Sequence, residues 1–187
     1  MAMSVALRES ALDALGADLR AAAGALAQRF ARGGRLFAFG NGGSATDAAG
    51  VAALFSRPPS GQSFPARSLV ADLAVLTALA NDVGYELVFS RQLISMATPA
   101  DIAFGLSTSG SSANLLFAFA EARRLGMLTI GMAGYDGGSM AGAGTVDHCL
   151  VVRSDSVHRI QEVQSGVVFE LWRLVQSVSD QVDVHVH

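Results

Sequence analysis

Apolar residues recur at three- and four-residue steps between Val5 and Phe30, where Leu12, Leu15, Leu19, Ala22, Leu26 and Phe30 form a stripe and Asp13, Asp18, Arg20 and Arg29 lie off it. That spacing predicts one amphipathic helix, ended by Gly33-Gly34. The pattern then changes to short, nearly continuous apolar runs at Arg35–Phe39, Phe64–Val70, Asp101–Leu106, Met127–Met132 and Val146–Val152. These read as strands, because a strand buried on both faces loses its alternation. Helices are predicted between them over Ser44–Ser56, Leu73–Ala80, Tyr85–Met96 and Ala113–Leu125. The segments 57–61, 81–84 and 133–138 carry turn chemistry. A closing helix runs from Ser154 to about Val178, with Ile160, Val163, Val167, Leu171 and Leu174 on one side and Val168, Phe169, Trp172 and Val175 broadening the stripe. A helix apolar around so much of its circumference predicts contacts on several sides, including a subunit interface. The tail, Asp183–His187, is expected to fray.

Strands alternating with helices predict an α/β fold, a parallel sheet with helices on both faces. The whole chain, 1–187, is read as one domain: an N-terminal helix over 1–32, a parallel α/β core over 35–152 and a C-terminal interface helix over 154–182. In such sheets ligands bind beyond the C-terminal ends of the strands, where the strand order reverses.

Two of the loops expected there carry chemistry. Gly40-Asn41-Gly42-Gly43-Ser44 breaks a strand and opens a helix. Glycine permits φ > 0 and close approach, and a helix N-terminus offers unpaired N–H donors with partial positive charge. A phosphate is therefore expected at this turn. With Ala45 the stretch formally fits a dinucleotide fingerprint, yet no acidic residue follows at the spacing a ribose contact requires. The second loop, Ser107-Thr108-Ser109-Gly110-Ser111-Ser112, puts five hydroxyls in six positions. A single helix start needs only one cap, so the surplus predicts neutral donors for a phosphate ester.

Composition narrows the classes further. Of 187 residues 51% are hydrophobic, yet no apolar run is long enough to cross a bilayer and the N-terminus lacks signal-peptide order. The surplus predicts a cytoplasmic oligomer rather than a membrane protein. The single cysteine, Cys149, rules out an internal disulfide framework and reads as a structural thiol. All 13 basic residues other than histidine are arginine. Without lysine there is no Schiff-base chemistry and no Walker-type loop. The net charge of −3 and the scattered arginines predict no direct nucleic-acid binding.

Taken together, Phe39-Gly40-Asn41-Gly42-Gly43-Ser44, Ala80-Asn81-Asp82, Leu106–Asn114, Gly134–Gly142 and Arg159-Ile160-Gln161-Glu162 resemble, in order and separation, the SIS (sugar isomerase) domain family and its phosphoheptose isomerase subgroup. The resemblance implies a three-layer αβα sandwich on a five-stranded parallel sheet, and a homotetramer. It also implies a sugar phosphate held by Asn41, Gly42, Gly43, Ser44, Asp82, Ser107, Thr108, Ser109, Ser112 and Gln161.

The departures from the family concern catalysis. Aldose–ketose isomerisation needs a base to move a proton between adjacent carbons and a partner at the oxygens. In the isomerases the helix after the glycine turn carries a histidine and a glutamate, and the closing helix carries a glutamine followed eight residues later by a histidine, forming a zinc or proton-transfer site. Here Gly50 falls at the first histidine, Ala53 or Leu54 at the glutamate, and Phe169 at the second histidine, while Gln161 is retained. No zinc or other cofactor is therefore expected. The remaining candidates for acid–base work are Asp47, His158, Gln161 and Glu162. His148 and Cys149, adjacent in a strand, point to opposite faces and form no pair. The sequence predicts a phosphosugar-binding or regulatory protein. Alternatives are an active sedoheptulose 7-phosphate isomerase, and an interaction scaffold with a protein partner, similar to the SIS factor that binds the bacterial replication initiator.

Overall fold

The N-terminal stripe and the closing stripe pack on each other and on one face of a sheet. In the computed structural model, which describes residues 2–184, α1 (Ala2–Ala31) leads into β1 (Leu36–Gly40), α2 (Gly43–Ser56), β2 (Ala66–Ser68) and α3 (Leu73–Asp82). A 3-10 turn, Tyr85–Leu87, precedes α4 (Val88–Met96), β3 (Ile102–Ser107), α5 (Ala113–Arg124), β4 (Leu128–Gly134), α6 (Gly138–Gly142), β5 (His148–Val152) and α7 (Val157–Val184). The five strands are all parallel and lie in the order β2-β1-β3-β4-β5, so the order reverses between β1 and β3.

Period-two alternation divides the core into two layers. Leu36, Ala38, Ile102, Phe104, Ile130 and Met132 face α1, α2 and α7. Phe37, Phe39 and Ala103 face Val88, Phe89 and Leu93 of α4 and Leu115, Ala118 and Phe119 of α5. Gly105 in β3 sits where a Cβ would run into the Phe119 and Phe39 rings, so the absence of a side chain lets α5 close on the sheet. The expected three-layer α/β sandwich on a parallel sheet is the architecture found.

The differences from expectation have local causes. The second strand is paired over Ala66–Ser68 rather than Phe64–Val70, since Pro65 lacks an N–H and Phe64 donates instead to the Phe55 carbonyl of α2 at 2.8 Å. Asn81 and Asp82 continue α3 rather than forming a turn, and the break follows at Gly84, with φ 103°. The segment expected as one helix from Tyr85 starts as the 3-10 turn. Of the segment 133–138, expected as turn, residues 133 and 134 continue β4 and Gly138 starts the short α6. The closing helix begins at Val157 rather than Ser154. Of the tail, Asp183 and Val184 are helical, and 185–187 lie outside the described residues. The apolar breadth of α7 is met largely within the chain, where Ile160, Val163, Val167, Val168, Leu171 and Trp172 are buried. Phe169 is left 49% exposed. α3 is the reverse case: an apolar helix that buries none of its residues, with Leu73 and Val75 exposed. No helix among the described residues is long and apolar enough to cross a membrane.

Beneath the N-terminal ends of β1 and β3, buried Asp101 accepts from the Arg35 backbone at 2.7 Å, the Arg35 guanidinium at 2.8 Å and the Thr98 N–H at 2.8 Å. Burial favours the neutral acid, but the hydrogen bonds from Arg35 and Thr98 outweigh it and hold the carboxyl below the usual carboxylate range. Its stabilising contribution is therefore present above the ordinary carboxylate pKa and lost as pH falls through the lower folded value. Asp101→Asn turns an amide toward donors and should cost about 2–3 kcal/mol at neutral pH, less than a fully buried pair because Arg35 is partly solvated. Urea titrations across the acid range should show the variant losing less of its stability than the wild type does.

Candidate functional site

The parallel register sets Gly40 opposite Leu106 at the ends of β1 and β3, so the glycine turn and the serine loop leave the sheet side by side. That position is the reversal point of the strand order, where ligands of open α/β sheets bind. The two loops are also bonded to each other. The Asn41 amide donates to Asn114 Oδ1 at 2.9 Å, and the Asn114 amide donates back to Asn41 Oδ1 at 2.9 Å. The Tyr85 hydroxyl adds a third bond to Asn41 Oδ1 at 3.1 Å.

Both loops feed helix N-termini that no side chain caps. α2 follows Gly42, whose φ of 54° favours glycine, and α5 follows Ser112. The Ser112 hydroxyl does not cap its helix; it lies 3.1 Å from Ser107 Oγ, which is 3.3 Å from Ser109 Oγ. Three hydroxyls thus converge next to free helix donors, an arrangement suited to phosphate oxygens. Gly42 and Gly43 are exposed, Ser44 is buried in the first turn of α2, and Thr108 anchors the loop by accepting from the Gly134 N–H at 2.9 Å. Ser111 turns away to accept from the Ser139 N–H of α6 at 3.1 Å.

The first turn of α2 meets α7 at Gln161. A Cβ on Gly43 would collide with the Gln161 amide, which donates to Asp47 Oδ2 at 3.3 Å. Below this pair lies a cavity of about 240 Å³ bordered by Asp47, Gly50, Leu54, Leu106, Ser165 and Phe169. Leu54 rather than Ala53 lines it, one helical turn from Gly50. A second cleft of about 450 Å³ is bordered by Asn41, Gly42, Tyr85 and Phe89.

Of the residues singled out from sequence, the structure brings Asn41, Gly42, Gly43, Ser107, Ser109, Ser112, Asp47 and Gln161 to one end of the sheet. Asp82 is exposed at the end of α3, where its carboxylate accepts from Asn81 at 2.9 Å. His158 and Glu162 are exposed on α7, outside the cavity lining, and form no ion pair among the described residues. Nor do the described residues include a group of three or more His, Cys, Asp or Glu able to hold a metal ion. Cys149 is half-buried, and burial raises its thiol pKa. Sequence reasoning assigned no role to Asn114. Its signal was a second asparagine placed just past a serine-rich loop, uninterpretable without the strand register.

Comparison with known proteins gives a consistent result. A family model described as SIS domain matches residues 2–134. The phosphoheptose isomerase of Roseiflexus sp. (strain RS-1) is 43% identical over 153 residues, covering 80% of this chain and 76% of that protein. The phosphoheptose isomerase of Akkermansia muciniphila is 36% identical over 180 residues, covering 93% and 92%. The structure of phosphoheptose isomerase GmhA from Neisseria gonorrhoeae superposes with a TM-score of 0.87 at 32% identity, covering 94% of each chain.

Burial pushes the Asp47 carboxyl above the usual carboxylate range, opposed only in part by the Gln161 hydrogen bond. The folded state therefore binds this proton more tightly than the unfolded chain, and stability falls as pH rises from the ordinary value through the raised one. Asp47→Asn keeps an acceptor for Gln161 and removes that penalty. Its urea midpoint should equal or exceed that of the wild type at pH 7 and converge with it in acid. A variant weaker than the wild type at pH 7 and equal in acid would contradict this assignment.

Proposed function

The chain belongs to the SIS domain family, and on that premise we propose that it binds a sugar phosphate at the paired loops without isomerase turnover, as a binding or regulatory protein. One observation carries the reading. The uncapped N-termini of α2 and α5, with Ser107, Ser109 and Ser112 between them, supply phosphate donors. The cavity alongside presents Gly50, Leu54 and Phe169 at the positions where the resemblance places the isomerases' histidine, glutamate and second histidine. None of these three side chains can carry a proton or bind a metal. Zinc is no part of this reading, because Asp47 and the Gln161 amide alone do not make the closed set of His, Cys or carboxylate ligands that zinc takes. A cytoplasmic homotetramer fits the same reading, and its association is supported by Leu73 and Val75 of α3, which this chain leaves exposed.

A second reading, an active phosphoheptose isomerase, is favoured by the Asp47–Gln161 pair. A carboxylate with a raised pKa beside a donor amide has the makings of a general base. The two readings separate in one experiment. Titration calorimetry with sedoheptulose 7-phosphate should show saturable binding, weakened roughly 10- to 100-fold by Ser109→Ala, as expected for one hydrogen bond to a charged group. An isomerase assay with and without added zinc should show no turnover. Turnover near the ordinary enzymic range of about 1–10³ per second would overturn the binding-only reading.

A further inference from the structure

A phosphate site does not account for the cavity beside it. Apart from Asp47, Thr46 and Ser165, its walls are apolar: Gly50, Val51 and Leu54 on α2, Leu106 at the end of β3, Val168 and Phe169 on α7. At about 240 Å³ it is larger than the apolar cavities of roughly 150 Å³ that admit benzene. A polyhydroxylated carbon chain laid against Leu54 and Phe169 would leave hydroxyls without partners, which costs affinity. Gly50 lies exposed at the rim, and outside its own stretch of helix no atom lies within 4 Å of where its Cβ would stand, so a larger side chain there has room to fill the space.

The polar wall is specific. Asp47 Oδ2 accepts from Gln161, while Oδ1 has no donor among the described residues. A free carboxylate oxygen on a half-buried residue, rimmed by apolar side chains, suits a ligand N–H with a hydrocarbon group attached beyond it. Resting on the phosphate-binding reading above, we propose that the ligand is a sugar phosphate bearing an amide-linked acyl group. Its phosphate sits at the two helix N-termini, its amide N–H donates to Asp47, and its acyl chain lies against Gly50, Leu54 and Phe169.

Calorimetry on the full chain with glucose 6-phosphate, N-acetylglucosamine 6-phosphate and the N-butanoyl homologue tests this. The acetyl compound should bind about ten-fold more tightly than the unsubstituted sugar phosphate, and each further methylene should add about four-fold. Gly50→Leu fills the space from a helix-interior position that favours leucine over glycine. It should keep its melting temperature and bring the acyl-to-plain affinity ratio to about one. If that variant melts early, Phe169→Asp at a half-exposed position reads the same ratio and should lower it. Equal affinities for the three sugars in the wild type would overturn the acyl assignment and leave the phosphate site standing. No binding of any of them would overturn both, and an acyl preference unchanged in the cavity variants would overturn its location.

Discussion

The reciprocal amide pair between Asn41 and Asn114 is the constraint on which the site depends. Parallel pairing brings the ends of β1 and β3 level, but a glycine-rich turn and a serine-rich loop leaving a sheet have no intrinsic reason to stay together. Two hydrogen bonds of 2.9 Å, one in each direction, tie the loop before α2 to the first turn of α5. Asn114 is buried, so losing either partner would strand a polar amide away from water, which makes the junction costly to open. With the pair closed, two helix N-termini lie beside one patch of hydroxyls. The positive ends of both dipoles and the free N–H groups then act on the same small volume.

Around that fixed point the site has two characters. Toward the serine loop it is a field of hydroxyl and helix N–H donors, in a chain that has no lysine. Toward α7 it is an apolar cavity with one carboxylate on its wall, held by Gln161. Binding an anion needs only the first. Moving a proton between carbons needs groups that can give and take it, and among the described residues bordering the cavity Asp47 is the one titratable side chain. The same division accounts for the raised pKa of Asp47: it is a carboxylate facing hydrocarbon, with only one neutral donor to offset its burial.

Much of this was legible in the sequence because the relevant physics is local. The helix period, the apolar strand runs and the glycine and serine punctuation located the sheet and both loops. The likeness to known isomerases pointed to Gly50 and Phe169. What escaped depends on contacts distant in sequence. The role of Asn114 exists only because the strand register sets it opposite Asn41, 73 residues away. Leu54 and Ala53 were equivalent on paper until helix phase turned Leu54 into the cavity. The breadth of the α7 stripe did not say which side is met inside the chain: α1, α2 and the sheet cover most of it and leave Phe169 exposed. The brief α6 was hidden among glycines because its start is set by Gly137 in the left-handed region, with φ 96°, rather than by a periodic apolar face.

A crystal structure of the chain with sedoheptulose 7-phosphate bound decides whether the paired loops hold phosphate away from any acid–base pair. The phosphate should lie between the N-termini of α2 and α5, within hydrogen-bond reach of Ser109 and Ser112, with no histidine or glutamate within about 3 Å of the oxygens on the sugar's first two carbons. A histidine or glutamate side chain at that distance, or a phosphate bound away from the paired loops, would contradict it.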